Sequence, residues 1–197
     1  MIVLITGGAR SGKSAYAVAL AQSLGSQVVF LATAVPIDEE MAQRIRRHRE
    51  TRPQDWITIE EPLEISKALR NGVPKNSVVV LDCMSVWLGN LFHHYALQDD
   101  PPEAKRSDIV RSAAHAEVET LCSLSEDFAL YLIVVTNEVG LGLVPDSYLS
   151  RLYRDVLGEV NQVLAYKAQH VVLMVAGIPL AVKGPLPMQY PLSNPDH

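Results

Sequence analysis

The sequence is short of several things that would place it in a specialised class. It holds only two cysteines, Cys83 and Cys122, among 197 residues. Two widely spaced thiols make neither a zinc-ligand pattern nor a disulfide framework, so the expectation is reduced, buried thiols in a cytoplasmic protein. Cys83 follows an acidic residue at the end of an apolar run, and a reactive thiol is the alternative reading there. No apolar run approaches the roughly 20 residues that cross a bilayer. Met1 to Thr6 is too short for a secretory signal and lacks its charged opening. Basic residues are not in excess: the net charge is −5, which argues against a general grip on nucleic acid. No internal repeat is visible. What is present, 48 % apolar and 20 % charged residues, is the balance of a soluble globular chain of one domain.

Apolar, β-rich runs recur with helical segments between them. They are Ile2–Thr6, Gln27–Ala32, Trp56–Glu60, Ser77–Asp82, Ala129–Thr136 and His170–Ala176. Stretches such as Val78-Val79-Val80-Leu81 are continuously apolar, which suits parallel strands covered on both faces. The spacing predicts helices over about 15–24, 38–49, 84–94, 107–124 and 146–168, and Gln98-Asp99-Asp100-Pro101-Pro102 reads as a surface loop. Alternating strand and helix predicts an α/β fold, a doubly wound sheet with its ligand at the strands' C-terminal edge. One domain spanning 1–183 is expected, followed by a proline-rich tail over 184–197 that is irregular or disordered.

The most informative stretch is Gly7-Gly8-Ala9-Arg10-Ser11-Gly12-Lys13-Ser14, which fits G-x-x-x-x-G-K-[ST] between a strand and a helix. Glycines let the backbone wrap a phosphate and aim N–H groups at it, and the helix start adds partial positive charge. Lys13 is expected on the β- and γ-phosphates of a nucleoside triphosphate, and the Ser14 hydroxyl on Mg²⁺. Asp82 ends an apolar strand, as the Mg²⁺-supporting carboxylate of such proteins does; aspartate also ends strands for purely local reasons.

The segment Asp38 to Pro53 opens acidic and closes basic, in keeping with a helix dipole. Met41, Ile45, His48 and Arg52 fall on one helical stripe, and Arg44, Arg46, Arg47, Arg49 and Arg52 surround His48. A solvated basic face with an incidental histidine is one reading. The other is an imidazole kept neutral by neighbouring cations and able to attack phosphorus. Thr136-Asn137-Glu138-Val139-Gly140 follows a strand and is either a turn or a cluster facing the nucleotide, or both. Arg151 and Arg154 can reach phosphates or pair with Asp155 or Glu159.

These motifs together, with Arg44 to Pro53 and the later Asn161-Gln162, resemble the bifunctional adenosylcobinamide kinase/adenosylcobinamide-phosphate guanylyltransferase family from Met1 to about Lys183. The resemblance implies a P-loop NTPase of RecA-like fold, a mostly parallel sheet flanked by helices. It implies phosphorylation of adenosylcobinamide by ATP or GTP, then transfer of GMP from GTP through a guanylyl-histidine, which maps to His48. Its nucleotide contacts map to Gly7–Ser14 (Gly7, Gly8, Ala9, Arg10, Ser11, Gly12, Lys13 and Ser14), to Ala32, Thr33 and Ala34, to Arg49, Glu50, Thr51 and Arg52, and to Glu61 and Asp82. It also implies a cytoplasmic homotrimer that uses Mg²⁺, a corrinoid and no nucleic-acid partner. A plain small-molecule kinase and a slow nucleotide switch are the competing readings, and both leave the His48 segment without a role.

Overall fold

A computed structural model describes residues 1–25, 27–36, 39–50, 52–95, 97 and 104–189, without the side chains of Glu40, Arg44 and His48. The chain runs β1 (Ile2–Gly7), α1 (Lys13–Ser23), β2 (Val28–Ala32), α2 (Glu39–Glu50), β3 (Ile57–Glu60), α3 (Ile65–Gly72) and β4 (Val78–Asp82). It continues α4 (Met84–His94), α5 (Ala104–Asp127), β5 (Tyr131–Val135), α6 (Tyr148–Lys167), β6 (His170–Val175) and β7 (Ile178–Lys183). The strands form one seven-stranded sheet in the order β3-β2-β4-β5-β1-β6-β7. All pairings are parallel except that of β6 with β7. The expected mostly parallel sheet flanked by helices is what the chain builds.

The period of two along each strand divides the core. Val3, Ile5, Phe30, Val80, Ile133 and Val135 face α1, where Tyr16 and Leu20 meet them. Leu4, Leu31, Leu81, Leu132 and Val134 face α3 to α6, where Trp87, Val118, Leu121, Val156 and Val160 close over them. Trp87 is fully buried, and its indole N–H donates to the Leu63 carbonyl at 2.9 Å, so it brings no unpaired donor inside.

The six expected strands and five expected helices are present, with ends shifted by a few residues. Two elements were not expected: α3, and the edge strand β7, where Pro179 and the turn at Gly177 disguise a strand. The expected loop over 98–102 lies outside the described residues, as do 190–197 of the tail.

The order of strands fixes the geometry of one edge. The P-loop follows β1 and Asp82 ends β4, while β5 lies between those two strands. Gly7, at φ 148°, is where the chain leaves β1; a Cβ there would stand 2.4 Å from the Met174 carbonyl oxygen and 2.8 Å from Ser11 Oγ. Gly12, at φ 93°, is the left-handed residue that starts α1. Both turns require glycine, and together they set the loop between them.

Candidate nucleotide site

The P-loop closes on its own lysine. Lys13 Nζ donates to the Gly8 carbonyl at 2.5 Å and lies 3.5 Å from Ser11 Oγ. The lysine is 8 % exposed, so its charge is held at the loop rather than in open solvent. Gly8, Ala9 and Arg10 are exposed on the outside of the turn, and Arg10 takes a left-handed φ of 55°.

A cleft of about 370 Å³ opens beside the loop, lined by Ser14, Ala15, Val18, Ala19, Gln22, Phe30, Arg47, Arg52 and Asp82. Ser14, Arg52 and Asp82, three residues singled out in the sequence for nucleotide or metal, therefore share one cavity. Sequence reasoning gave Arg47 no contact of its own and missed Phe30 altogether. Phe30 is the floor: the Arg52 guanidinium lies over its ring at 3.6 Å, and Trp56 stacks on it with centroids 6.5 Å apart. Phe30 reads as an ordinary core strand residue in sequence, and nothing in its spacing announces the arginine above it.

Arg52 lies past the end of α2, its N–H donating to the Arg49 carbonyl at 3.2 Å, so the stripe of Met41, Ile45 and His48 does not continue to it as helix. Its Nε and Nη1 are buried and have no hydrogen-bond partner among the described residues. Burial lowers its pKa, opposed by the Asp82 carboxylate, and the guanidinium stays charged. Unsatisfied buried donors cost roughly 1–3 kcal/mol each, so an anionic oxygen placed here recovers what folding gave up.

The cationic surround of His48 is smaller than the sequence count. Arg46 pairs with Glu39 at 2.8 Å, and Arg49 pairs with Glu60 on β3. Arg47 and Arg52 are the two that line the cleft. His48 itself is on α2, one residue after Arg47; its side chain lies outside the described residues, as does all of Thr51. Glu50 is exposed at the end of α2.

The remaining predicted residues build the rim. Glu61 accepts from the N–H groups of Leu63 and Glu64 at 2.8 and 2.9 Å, while its own N–H donates to the Ala32 carbonyl. Thr33 is fully buried: its hydroxyl donates to the Cys83 carbonyl at 2.9 Å and accepts from the Cys83 N–H at 3.0 Å. Ala34 is half-buried just beyond. Cys83 Sγ lies 3.1 Å from Ser85 Oγ, and burial with Asp82 alongside pushes its thiol pKa up. Burial likewise pushes Cys122 to about 11, so neither cysteine has the lowered pKa of a reactive thiol.

The belt continues across β5. Asn137 Nδ2 donates to Ser85 Oγ at 2.9 Å, Asn161 Nδ2 on α6 donates to the Asn137 carbonyl at 3.1 Å, and the Thr136 hydroxyl donates to Asn161 Oδ1 at 2.7 Å. Thr136 to Glu138 is thus fixed from α4 and α6, and the Glu138 N–H donates to the Gly7 carbonyl at 3.1 Å. Arg154 pairs with Asp155 at 3.1 Å, and Arg151 donates to the carbonyls of Pro145 and Asp146. Glu159 is taken by Arg111 and His115 of α5.

A lysine-bearing glycine loop at a helix start, a carboxylate one strand beyond its neighbour, and an arginine cleft beside them define a P-loop α/β enzyme. Comparison with known proteins gives the family. The model of the cobinamide kinase/cobinamide phosphate guanyltransferase family matches residues 3–182, and the chain belongs to that family. It is 40 % identical to the bifunctional adenosylcobalamin biosynthesis protein CobU of Escherichia coli K12 over 93 % of this chain and all of that one. It is 41 % identical to the corresponding protein CobP of Pseudomonas aeruginosa PAO1, covering 92 % of this chain and 96 % of that one. Among solved structures, a protein of Pyrococcus horikoshii OT3 shares the fold at a TM-score of 0.52 and 7 % identity, over 93 % of this chain and 86 % of that one. Among the described residues, no helix is long and apolar enough to cross a membrane.

Proposed function

We propose that this enzyme phosphorylates the aminopropanol hydroxyl of adenosylcobinamide with ATP or GTP, then transfers GMP from GTP to that phosphate through a guanylyl-His48. The products of the second reaction are adenosylcobinamide-GDP and pyrophosphate. The observation that carries the reading is one cleft that joins Ser14, Asp82 and two arginines beside the helix bearing His48.

In the first reaction Lys13 holds the β- and γ-phosphates at the loop. In the second a neutral His48 nitrogen attacks the α-phosphorus as the bond to the pyrophosphate oxygen breaks. An oxygen of the cobinamide phosphate then attacks the same phosphorus, the P–N bond breaks, and the imidazole is restored. Arg47 and Arg52 present N–H groups to phosphate oxygens, with Arg52 held flat by Phe30. Gly7–Ser14, Ala32 to Ala34, Arg49 to Arg52, Glu61 and Asp82 remain the proposed nucleotide contacts. Thr33 and Glu61 already spend their side chains on the protein and offer the ligand backbone or position instead.

Ser14 and Asp82 are hard oxygen donors on one cleft, which fits Mg²⁺ with water and phosphate completing its shell. That ion neutralises phosphate charge when bound. Asp82→Asn is expected to lower turnover at limiting Mg²⁺ by roughly 10- to 100-fold, the size of effect a residue supporting a metal has, and raising Mg²⁺ should restore part of it. Equal rates at low Mg²⁺ return Asp82 to a purely structural role. Trimeric assembly, a cytoplasmic location and the absence of a nucleic-acid partner belong to the same reading.

The experiment is incubation with GTP labelled at the α-phosphorus. A protein-bound label that survives base and is lost in acid marks a P–N bond. No bound label overturns the covalent step.

A further inference from the structure

We propose that Glu138 is the proton acceptor of the phosphoryl-transfer reaction and has no such task in guanylyl transfer. The inference rests on the two-reaction reading above and adds a group that reading leaves out.

The placement comes from topology. β5 is the strand between the one that feeds the P-loop and the one that ends in Asp82. Whatever follows β5 stands between the lysine and the metal-side carboxylate. Glu138 is three residues past Val135, the register partner of Asp82, and its N–H is bonded to Gly7 at the first turn of the loop. Thr136 and Asn137, just before it, are held by Asn161 from α6 and by Ser85 from α4. The backbone that carries Glu138 is therefore tied on three sides, as a group that must meet a reacting atom needs to be.

Neighbouring carboxylates of this edge have placements of their own. Glu60 is paired with Arg49, and Glu61 accepts two N–H groups at the start of α3. Asp82 faces the Ser14 cleft. Glu138 is half-buried, and its Oε1 accepts from the Gly140 N–H at 3.0 Å.

The two reactions make opposite demands on such a group. In phosphoryl transfer the acceptor is an aliphatic hydroxyl that keeps its proton at neutral pH. As its oxygen bonds to the γ-phosphorus, the bond from that phosphorus to the bridging oxygen breaks and the electron pair leaves with the nucleoside diphosphate. The hydroxyl proton passes to the Glu138 carboxylate and from there to water. In guanylyl transfer the acceptor is a phosphate monoester whose second proton is already largely lost, with a pKa of about 6. No base is required. A carboxylate at this position therefore separates the two activities in the opposite sense to His48.

The test measures each reaction alone on the purified protein, using cobinamide for the first and pre-phosphorylated cobinamide for the second. Glu138→Gln is expected to slow phosphorylation about 10²- to 10³-fold, the range for loss of a general base. Nucleotide affinity should stay within about twofold, and so should guanylyl transfer. Glu138→Asp should recover part of the phosphorylation rate. Phosphorylation by Glu138→Gln at the parent rate overturns the proposal. Equal loss of both reactions, or of nucleotide affinity, also overturns it, since a turn residue would do that. A parent protein that phosphorylates no cobinamide defeats the function reading itself, before Glu138 is changed.

Discussion

Alanine at His48 is expected to abolish formation of adenosylcobinamide-GDP, and with it the covalent label from GTP, while phosphorylation of cobinamide stays within a few-fold of the parent. The loss should be on the order of 10⁴-fold or more, as for other enzymes stripped of a covalent nucleophile. The two reactions attack different phosphorus atoms. Phosphoryl transfer needs an acceptor in line with the γ-phosphorus, the task proposed for Lys13 and Ser14. The proposed covalent guanylyl transfer needs an enzyme nucleophile in line with the α-phosphorus, and His48 is borne on the helix that also supplies Arg47 to the cleft. Asparagine at the same position should match alanine, because an amide fills space but does not attack. Both reactions are measured on one preparation. Product at the parent rate removes the nucleophile assignment, and equal loss of both reactions makes His48 an organiser of a shared site.

Lys13→Ala should cost both reactions, phosphorylation most. The lysine is the point charge held inside the loop, in contact with the Gly8 carbonyl. Removing one preorganised donor from a site of developing charge typically costs about 10²- to 10³-fold in turnover, and weaker triphosphate binding should add to that in kcat/KM. The fold should survive, since the loop's shape rests on Gly7 and Gly12 rather than on the side chain. Steady-state rates and nucleotide affinity with an unshifted melting midpoint give the expected pattern. Unchanged turnover removes the phosphate-loop assignment.

How much of this was legible in the sequence depends on the range of the interaction. The P-loop is a local device, eight consecutive residues between a strand and a helix, and each stands where the motif implies. The central strands were legible because parallel strands buried on both faces leave unbroken apolar runs. α3 was not, because eight residues make barely two turns and Ile65 and Leu69 are too few to show a period. β7 was hidden by Pro179, which an edge strand tolerates and a central one does not.

The site was legible only in part. Ser14 and Asp82 line one cleft from distant parts of the chain, yet each carries a motif that names it. Arg52 was legible as a cation near His48 and, by resemblance, as a nucleotide contact; what the sequence hid is Phe30 beneath it, from a strand more than twenty residues earlier. The pairing of Arg49 with Glu60 removes a charge that a residue count had given to His48. Such contacts follow from the fold, and no periodicity encodes them.

The two glycines that open the loop stand under different steric constraints. A methyl group on Gly7 would collide with the backbone of β6, whereas one on Gly8 meets nothing within 4 Å, and Gly8 carries no positive φ. A survey of tolerated variants at these neighbours would therefore separate two pressures that a shared motif conceals. At Gly7 every side chain should be purged for the sake of a folded chain, whatever the protein binds. At Gly8 folding imposes no such filter, so any intolerance measured there belongs to the ligand, and alanine should leave the melting temperature where it is while the affinity for triphosphate reports the difference.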